Sequence, residues 1–231
     1  MPSTQAPPNP QSFLSEGDFT GRGLACRRGE KLIFRRLDFV LPPGGALVLI
    51  GPNGSGKSSL LRLMAGLTPR EIGVLAWGGL DIREDPGAHR GRLHFVGHSD
   101  ALKPVLSARE SLAFWAKMRG SEAAIDPALA RFGLANAASL PCRYLSAGQK
   151  RRLALARLVA APAALWLLDE PLTSLDTEAA AQLLAAIAEH RAQGGRIVLS
   201  THAPIELVDA TRLSLADFRP VPAETATELL A

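Results

Sequence analysis

With 231 residues, 47% of them hydrophobic and 21% charged, the chain has the composition of a globular protein with one large domain or two small lobes, which excludes disordered, collagen-like and coiled-coil readings of the whole. Its 26 basic residues against 22 acidic ones give a net charge of +4, a mild excess that keeps phosphates, nucleic acid and lipid headgroups open as partners. Two cysteines, Cys26 and Cys142, are too few for a disulfide framework or a paired-cysteine zinc site and point to a reduced, cytosolic compartment.

The start, Met1 to Ser12, is rich in proline and polar residues and lacks the basic-then-apolar order of a signal peptide; a loose tail is expected over 1–17. From there, apolar runs alternate with helix-period segments, the pattern of an α/β fold with a mainly parallel sheet covered by helices. Strands are expected at Ile33 to Leu41 and Ala46 to Ile50, with a turn at Pro42, Pro43, Gly44 and Gly45 between them, and later at Leu93 to Val96, Ala163 to Leu168 and Arg196 to Ser200. The stretch between the third and fourth of these has little strand character. Ser107 and Glu110 stand there in capping-box spacing, so an inserted helical lobe is expected over about 99–160. The longest nearly apolar run, Leu153 to Leu168, is shorter than a bilayer crossing and is interrupted by Arg157 and Pro162. The last residues, 219–231, read as a tail with at most a short helix.

The strongest chemical signal is Gly51-Pro52-Asn53-Gly54-Ser55-Gly56-Lys57-Ser58-Ser59, directly after the apolar run ending at Ile50 and before Leu60-Leu61-Arg62-Leu63. A strand, a glycine loop and a helix in this order let backbone N–H groups wrap a phosphate, with the positive end of the helix aimed at the anion. Lys57 would reach the outer phosphates and Ser58 would bind Mg²⁺. Further on, Leu165 to Leu168 delivers Asp169 and Glu170 at the carboxyl end of a buried-type strand, where open α/β sheets bind their ligands. Asp169 would complete the Mg²⁺ environment, leaving Glu170 to polarise an attacking water. Ser146 and Gln149 again have capping-box spacing, and Lys150, Arg151 and Arg152 crowd the first turns of the helix they open. That is the wrong charge for a helix N-terminus unless an anion sits there or the run is a solvated basic face.

These motifs resemble the ATP-binding-cassette (ABC) family, in which a phosphate loop, a signature sequence, an acidic strand, a D-loop and a switch histidine follow one another. Here they are Gly51 to Ser58, Leu145 to Gln149, Leu165 to Glu170, Ser174-Leu175-Asp176 and His202. The resemblance spans roughly Gly23 to Phe218 and implies one ATPase domain over 18–218, with an antiparallel β subdomain beside the parallel sheet. It implies ATP and Mg²⁺ as ligands, and a head-to-tail dimer in which Ser146, Gly148 and Gln149 of one copy meet the nucleotide on the other's phosphate loop. Glu170, His202 and Lys57 would be catalytic, and Asp176 would communicate between sites. Where the family usually carries a Mg²⁺-contacting glutamine, this chain has His98, whose ligand role would depend on pH. No aromatic residue stands where the family stacks adenine, and Arg28 is the candidate there; Tyr144, beside the signature, is not.

The stretches Val96 to Lys103, Leu106 to Leu112 and Leu145 to Arg157 are similar to one branch, the ATP-binding subunits of the haem exporter for c-type cytochrome biogenesis. This implies ATP hydrolysis on the cytoplasmic face of the bacterial inner membrane, driving release of haem-loaded chaperone through integral-membrane subunits. No direct haem site is expected: the chain has no Cys-x-x-Cys-His, and His89, His94 and His190 read as surface residues. Alternatives are an ABC ATPase for another solute, a soluble ABC ATPase acting on nucleic acid, which the pI of about 9.5 encourages, and a catalytically silent cassette, which Lys57, Asp169, Glu170 and His202 oppose. Because nucleic-acid members usually carry two cassettes or a long coiled coil, no nucleic-acid partner is expected.

Overall fold

The computed structural model describes residues 17–202 and 205–220. Apart from Gly17, the expected N-terminal tail lies outside the described residues, as do residues 221–231 of the expected C-terminal one. The centre is a five-stranded parallel sheet in the order β6(Leu93–Val96), β7(Leu165–Asp169), β8(Arg196–Ser200), β3(Ala46–Ile50) and β9(Ala210–Ser214). Beside it stands a four-stranded antiparallel sheet, β2(Lys31–Leu41), β1(Phe19–Arg28), β4(Ile72–Trp77) and β5(Leu80–Asp81).

The inner strands β3, β7 and β8 read as unbroken apolar runs because both of their faces are covered. On one face Leu47, Leu49, Leu165, Leu167 and Val198 join β1, β2 and the first helix, α1(Lys57–Met64), in one core. On the other, Val48, Trp166, Leu168, Ile197 and Leu199 pack against α3(Ala108–Arg119), α4(Ile125–Arg131), α5(Ala147–Ala160) and α6(Thr177–Ala192). A short α2(Pro86–Gly91) leads into β6. Emptying a buried leucine in such a core, for example Leu168→Ala, costs about 2–5 kcal/mol.

Both expected capping boxes form. Ser107 accepts from the backbone of Glu110 at the start of α3, Ser146 does the same with Gln149 at the start of α5, and each partner side chain returns a bond to its cap's N–H. Strands β1, β4, β5 and β9 are additional to the strands expected from the sequence. In β1 the alternation is broken by bulges between Gly21 and Arg27; at Gly21 a Cβ would stand 2.3 Å from the Phe39 ring, so the glycine is a packing requirement rather than a turn.

Three histidines correct the sequence reading. His89 and His94 are buried, not on the surface. His89 accepts from Trp77 Nε1 at 3.0 Å and its other ring nitrogen meets Met64 O at 2.9 Å. His94 bonds Ala161 O through Nε2 and meets Trp115 edge-on. His190 is partly buried, stacked 3.9 Å from the Trp166 ring with Nε2 on Arg196 O. Each ring has found a backbone acceptor, which lets a neutral imidazole sit in a core. Both cysteines are buried free thiols whose pKa burial raises.

Candidate functional site

Because the five central strands run parallel, their carboxyl ends converge at one rim. Asp169, last in β7, lies in register with Ser200, last in β8, and Leu49 of β3 pairs with the same serine from the other side. The glycine loop leaves β3 at this rim. Gly51 has φ 142° and a Cβ there would stand 2.8 Å from Ser55 Oγ; Gly56 has φ 107° and its Cβ would stand 2.5 Å from Ile33 Cγ2. Neither position accepts a side chain without displacing the loop. Gly56 precedes α1 with no side-chain cap, so the first N–H groups of that helix are left for a ligand.

The cleft over this loop, about 270 Å³, is lined by Arg28, Ile33, Asn53, Gly54, Ser55, Gly56, Lys57, Ser58, Ser59, His98, Asp169, Glu170 and His202. The loop, acidic-strand and histidine residues singled out from sequence thus meet in one place, with Gly51 and Pro52 behind them contributing carbonyls. Lys57 Nζ donates to Gly51 O at 2.8 Å and Pro52 O at 3.3 Å, and lies 3.1 Å from His202 Nε2. Glu170 Oε1 approaches the same ring nitrogen at 3.2 Å, while the His202 backbone N–H donates to Glu170 Oε2. Protonated, Nε2 serves the carboxylate; unprotonated, it accepts from the ammonium. The three side chains form a compact charge cluster in which an incoming phosphate has a ready place beside Lys57.

Asp169 is buried and accepts from Ser200 Oγ at 2.6 Å. Glu170 adopts a left-handed backbone, φ 48°, and its N–H donates to Ser200 O and Ser200 Oγ. Ser200 is a site residue that sequence reading missed; its only signal was its place two residues before His202 at a strand end. Arg151 was missed in another way. Far from joining a solvated basic face, it is buried and donates to the backbone of Asp169 and Glu170, and Arg152 turns to Phe132 O.

Four expected contributors do not line this cleft. Ser146, Gly148 and Gln149 are not among the residues lining the cleft; Ser146 is exposed, and Gly148 sits beside Ser174 O. Asp176 caps α6, accepting from Ala179 N at 2.7 Å. His98 is exposed and reaches the cleft from the loop after β6. Arg28 is among the residues lining the cleft, and Tyr144 is exposed under Arg143.

The donors fit Mg²⁺. Ser58 and Asp169 bring one hydroxyl and one carboxylate to the same cleft, hard oxygens few enough that phosphate and water would fill the remaining positions, which is how Mg²⁺ is usually held. Among the described residues no three His, Cys, Asp or Glu side chains gather into a metal cluster, so a nucleotide would share in holding the ion.

A glycine cradle, an acid pair and a histidine gathered at one rim of a parallel sheet make a nucleotide-binding cleft. The chain belongs to the ABC transporter family, whose pattern it matches over residues 34–173; it is an ABC-type ATPase that couples ATP hydrolysis to transport. It is 57% identical over 209 residues to the "Cytochrome c biogenesis ATP-binding export protein CcmA" of Rhodospirillum rubrum, covering 90% of both chains. The protein of that name in Paramagnetospirillum magneticum is 54% identical, over 89% of this chain and 97% of its own. A solved ATP-binding subunit of an ABC transporter superposes with a TM-score of 0.74 at 27% identity, over 80% of this chain and 79% of its own. A Pyrococcus furiosus structure described as a putative ABC transporter ATP-binding protein shares the fold, TM-score 0.77, at 21% identity over 88% of this chain and all of its own. Among the described residues no helix is long and apolar enough to cross a membrane.

Proposed function

We propose that the chain is the ATP-hydrolysing subunit of a membrane exporter serving c-type cytochrome biogenesis, the role carried in the names of its relatives at 54% and 57% identity. It would sit at the cytoplasmic face of the inner membrane on integral-membrane subunits, with haem and its chaperone handled by those partners. The observation that carries the mechanism is the division of the site. One copy gathers phosphate cradle, acid pair and His202 in a single cleft, while its Ser146 to Gln149 tip is built, capped and left outside it. A second copy arranged head to tail supplies that tip, and ATP fills the gap between them.

In this reading the N–H groups of Gly54 to Lys57 hold the phosphates, and Lys57 leaves Gly51 O to reach the outer ones. Arg28 takes the adenine end. Ser58 and Asp169 would hold Mg²⁺, with His98 lining the same cleft; the ion, when bound, would neutralise phosphate charge. Glu170 accepts a proton from the attacking water, and His202 donates to the terminal phosphate from the place where it now meets Lys57 and Glu170. Loss of that phosphate removes the anion that the opposing tip binds, and the copies part. Asp176 stands close enough to the tip's neighbour Ser174 in sequence to relay this separation between the two sites.

The test is Glu170→Gln. The variant is expected to bind ATP, to hydrolyse it about 100-fold or more slowly, and to double in mass on sizing columns with ATP but not with ADP. Turnover near the parent's, or a single copy in saturating ATP, would refute the assignment. The exporter role is tested by detergent extraction: hydrophobic subunits should co-purify, and deleting the chain should remove c-type cytochromes. A wholly soluble chain bound to nucleic acid would refute it.

A further inference from the structure

Strand β6 is an edge of the parallel sheet. Its pairing with β7 uses alternate carbonyls, as when Leu165 N donates to Arg92 O. The carbonyls of Gly91, Leu93, Phe95 and Gly97 therefore face outward, and arginines from the helical lobe take all four. Arg119 of α3 donates to Gly91 O and to Leu93 O at 3.1 Å. Arg157 of α5 donates to Phe95 O, and Arg151 of α5 donates to Gly97 O at 2.9 Å.

The last arginine does more than close the edge. Its Nη1 also meets Asp100 Oδ1 at 3.2 Å, and its Nη2 donates to Asp169 O at 3.0 Å and to Glu170 O at 2.7 Å. The side chain is buried and planar, so one rigid fork joins the loop carrying His98 to the two peptide carbonyls around Glu170. Glu170 needs such support, because a left-handed backbone in a non-glycine residue persists only where its surroundings over-determine it. Ser200 holds the N–H side of that residue, and Arg151 holds the carbonyl side. Arg151 lies in the first turns of α5, two residues beyond Gln149 of the capped tip.

We propose that Arg151 is a positioning residue that joins the Ser146 to Gln149 tip, through the start of α5, to the backbone of Glu170 and the His98 loop, so that a load on the tip sets the aim of the carboxylate in the same copy's own cleft. This rests on the head-to-tail reading above for the source of the load; the aiming of Glu170 follows from the bonds themselves.

The test compares Arg151→Gln with Arg119→Gln in the full chain, purified with the subunits that co-extract in detergent. Both variants lose guanidinium bonds to outward carbonyls of β6, and only one loses bonds at Glu170. A misplacement of the order of 1 Å costs about 100-fold in turnover, so Arg151→Gln is expected to lose about that much kcat while KM for ATP stays within about threefold. Arg119→Gln should lower the melting temperature yet keep kcat within about twofold. Arg151→Lys, which can still donate to one carbonyl, should recover part of the loss and serves if Arg151→Gln does not fold. The proposal is overturned if Arg151→Gln, or Arg151→Lys in its place, keeps parental kcat, or if Arg119→Gln loses as much. ATP-driven pairing of Glu170→Gln reports separately on the dimer: if it fails, the source of the load falls and the kcat comparison still decides the aiming.

Discussion

Acid should loosen this protein well above the pH at which its carboxylates titrate, because three histidines are held below their ordinary pKa by burial, two of them far below it. His94 is pushed down to about 3, chiefly by burial and then by the charges of Arg157 and Arg119. His190 is pushed to about 4 by burial, with the Arg196 charge adding to it and the bond to Arg196 O opposing it. In the unfolded chain both titrate near 6.5. Below that pH the unfolded state takes up protons that the folded state refuses, so stability declines as pH falls from about 6.5 and goes on declining to about 4 for His190 and about 3 for His94. One pH unit is worth about 1.4 kcal/mol per group, so at about pH 5 each histidine has removed about 2 kcal/mol and the pair about 4 kcal/mol. Against a domain stability of about 5–15 kcal/mol this is a large share. Urea unfolding of the nucleotide-free chain at about pH 7.5 and about pH 5, read by tryptophan fluorescence, measures it, since Trp115 and Trp166 lie against the two rings. The double variant His94→Gln, His190→Phe removes both of these titrations; it should start less stable and lose clearly less than the parent on acidification, the remainder coming from His89, which burial also holds below its ordinary value. A parental loss below about 1 kcal/mol, or an equal loss in the double variant, would refute the reasoning.

Other perturbations follow from the cleft. Lys57→Ala removes the only ammonium among the residues lining it, and ATP turnover should fall by about 100-fold or more, measured by phosphate release. Gly56→Ala forces a Cβ to within 2.5 Å of Ile33 Cγ2 at a φ of 107°; it should cost about 3 kcal/mol of stability in urea melts and weaken nucleotide binding with it. If Arg28 stacks on the base as proposed, Arg28→Ala should weaken ATP and ADP alike by about 3–10-fold in calorimetric titrations and leave binding of inorganic triphosphate unchanged.

What could be read beforehand divides along a physical line. The inner strands β3, β7 and β8 were legible because two covered faces demand apolar residues along most of their length, and the glycine loop because a phosphate cradle tolerates few other sequences. Capping boxes announced α3 and α5. Strand β1 was not legible: its bulges are set by its pairing with neighbouring strands and Gly21 answers to the Phe39 ring, and those contacts join residues far apart in the chain. The same holds for Ser200 and Arg151, whose importance lies in backbone groups of other segments that they bind. The three histidines misled for this reason too, since a polar ring reads as exposed until its partner, a carbonyl 25 residues away for His89 and 67 for His94, is known.

The arginines bear on a further point that composition leaves open. A basic pI invites a nucleic-acid partner, but that inference requires the charges to be presented on a surface where they can displace counterions. Here Arg151, Arg157 and Arg196 are buried, and Arg119 and Arg191 spend guanidinium donors on backbone carbonyls. Arg70 is paired with Asp81 and Arg131 with Glu189. A guanidinium taken from water costs several kcal/mol unless its donors are satisfied, and backbone oxygens at an unpaired strand edge are acceptors in want of donors. Each need answers the other. The charge excess is therefore partly an internal device that fastens the helical lobe to the sheet beside the catalytic rim, which accounts for a basic chain in a family whose partner on this rim is a triphosphate.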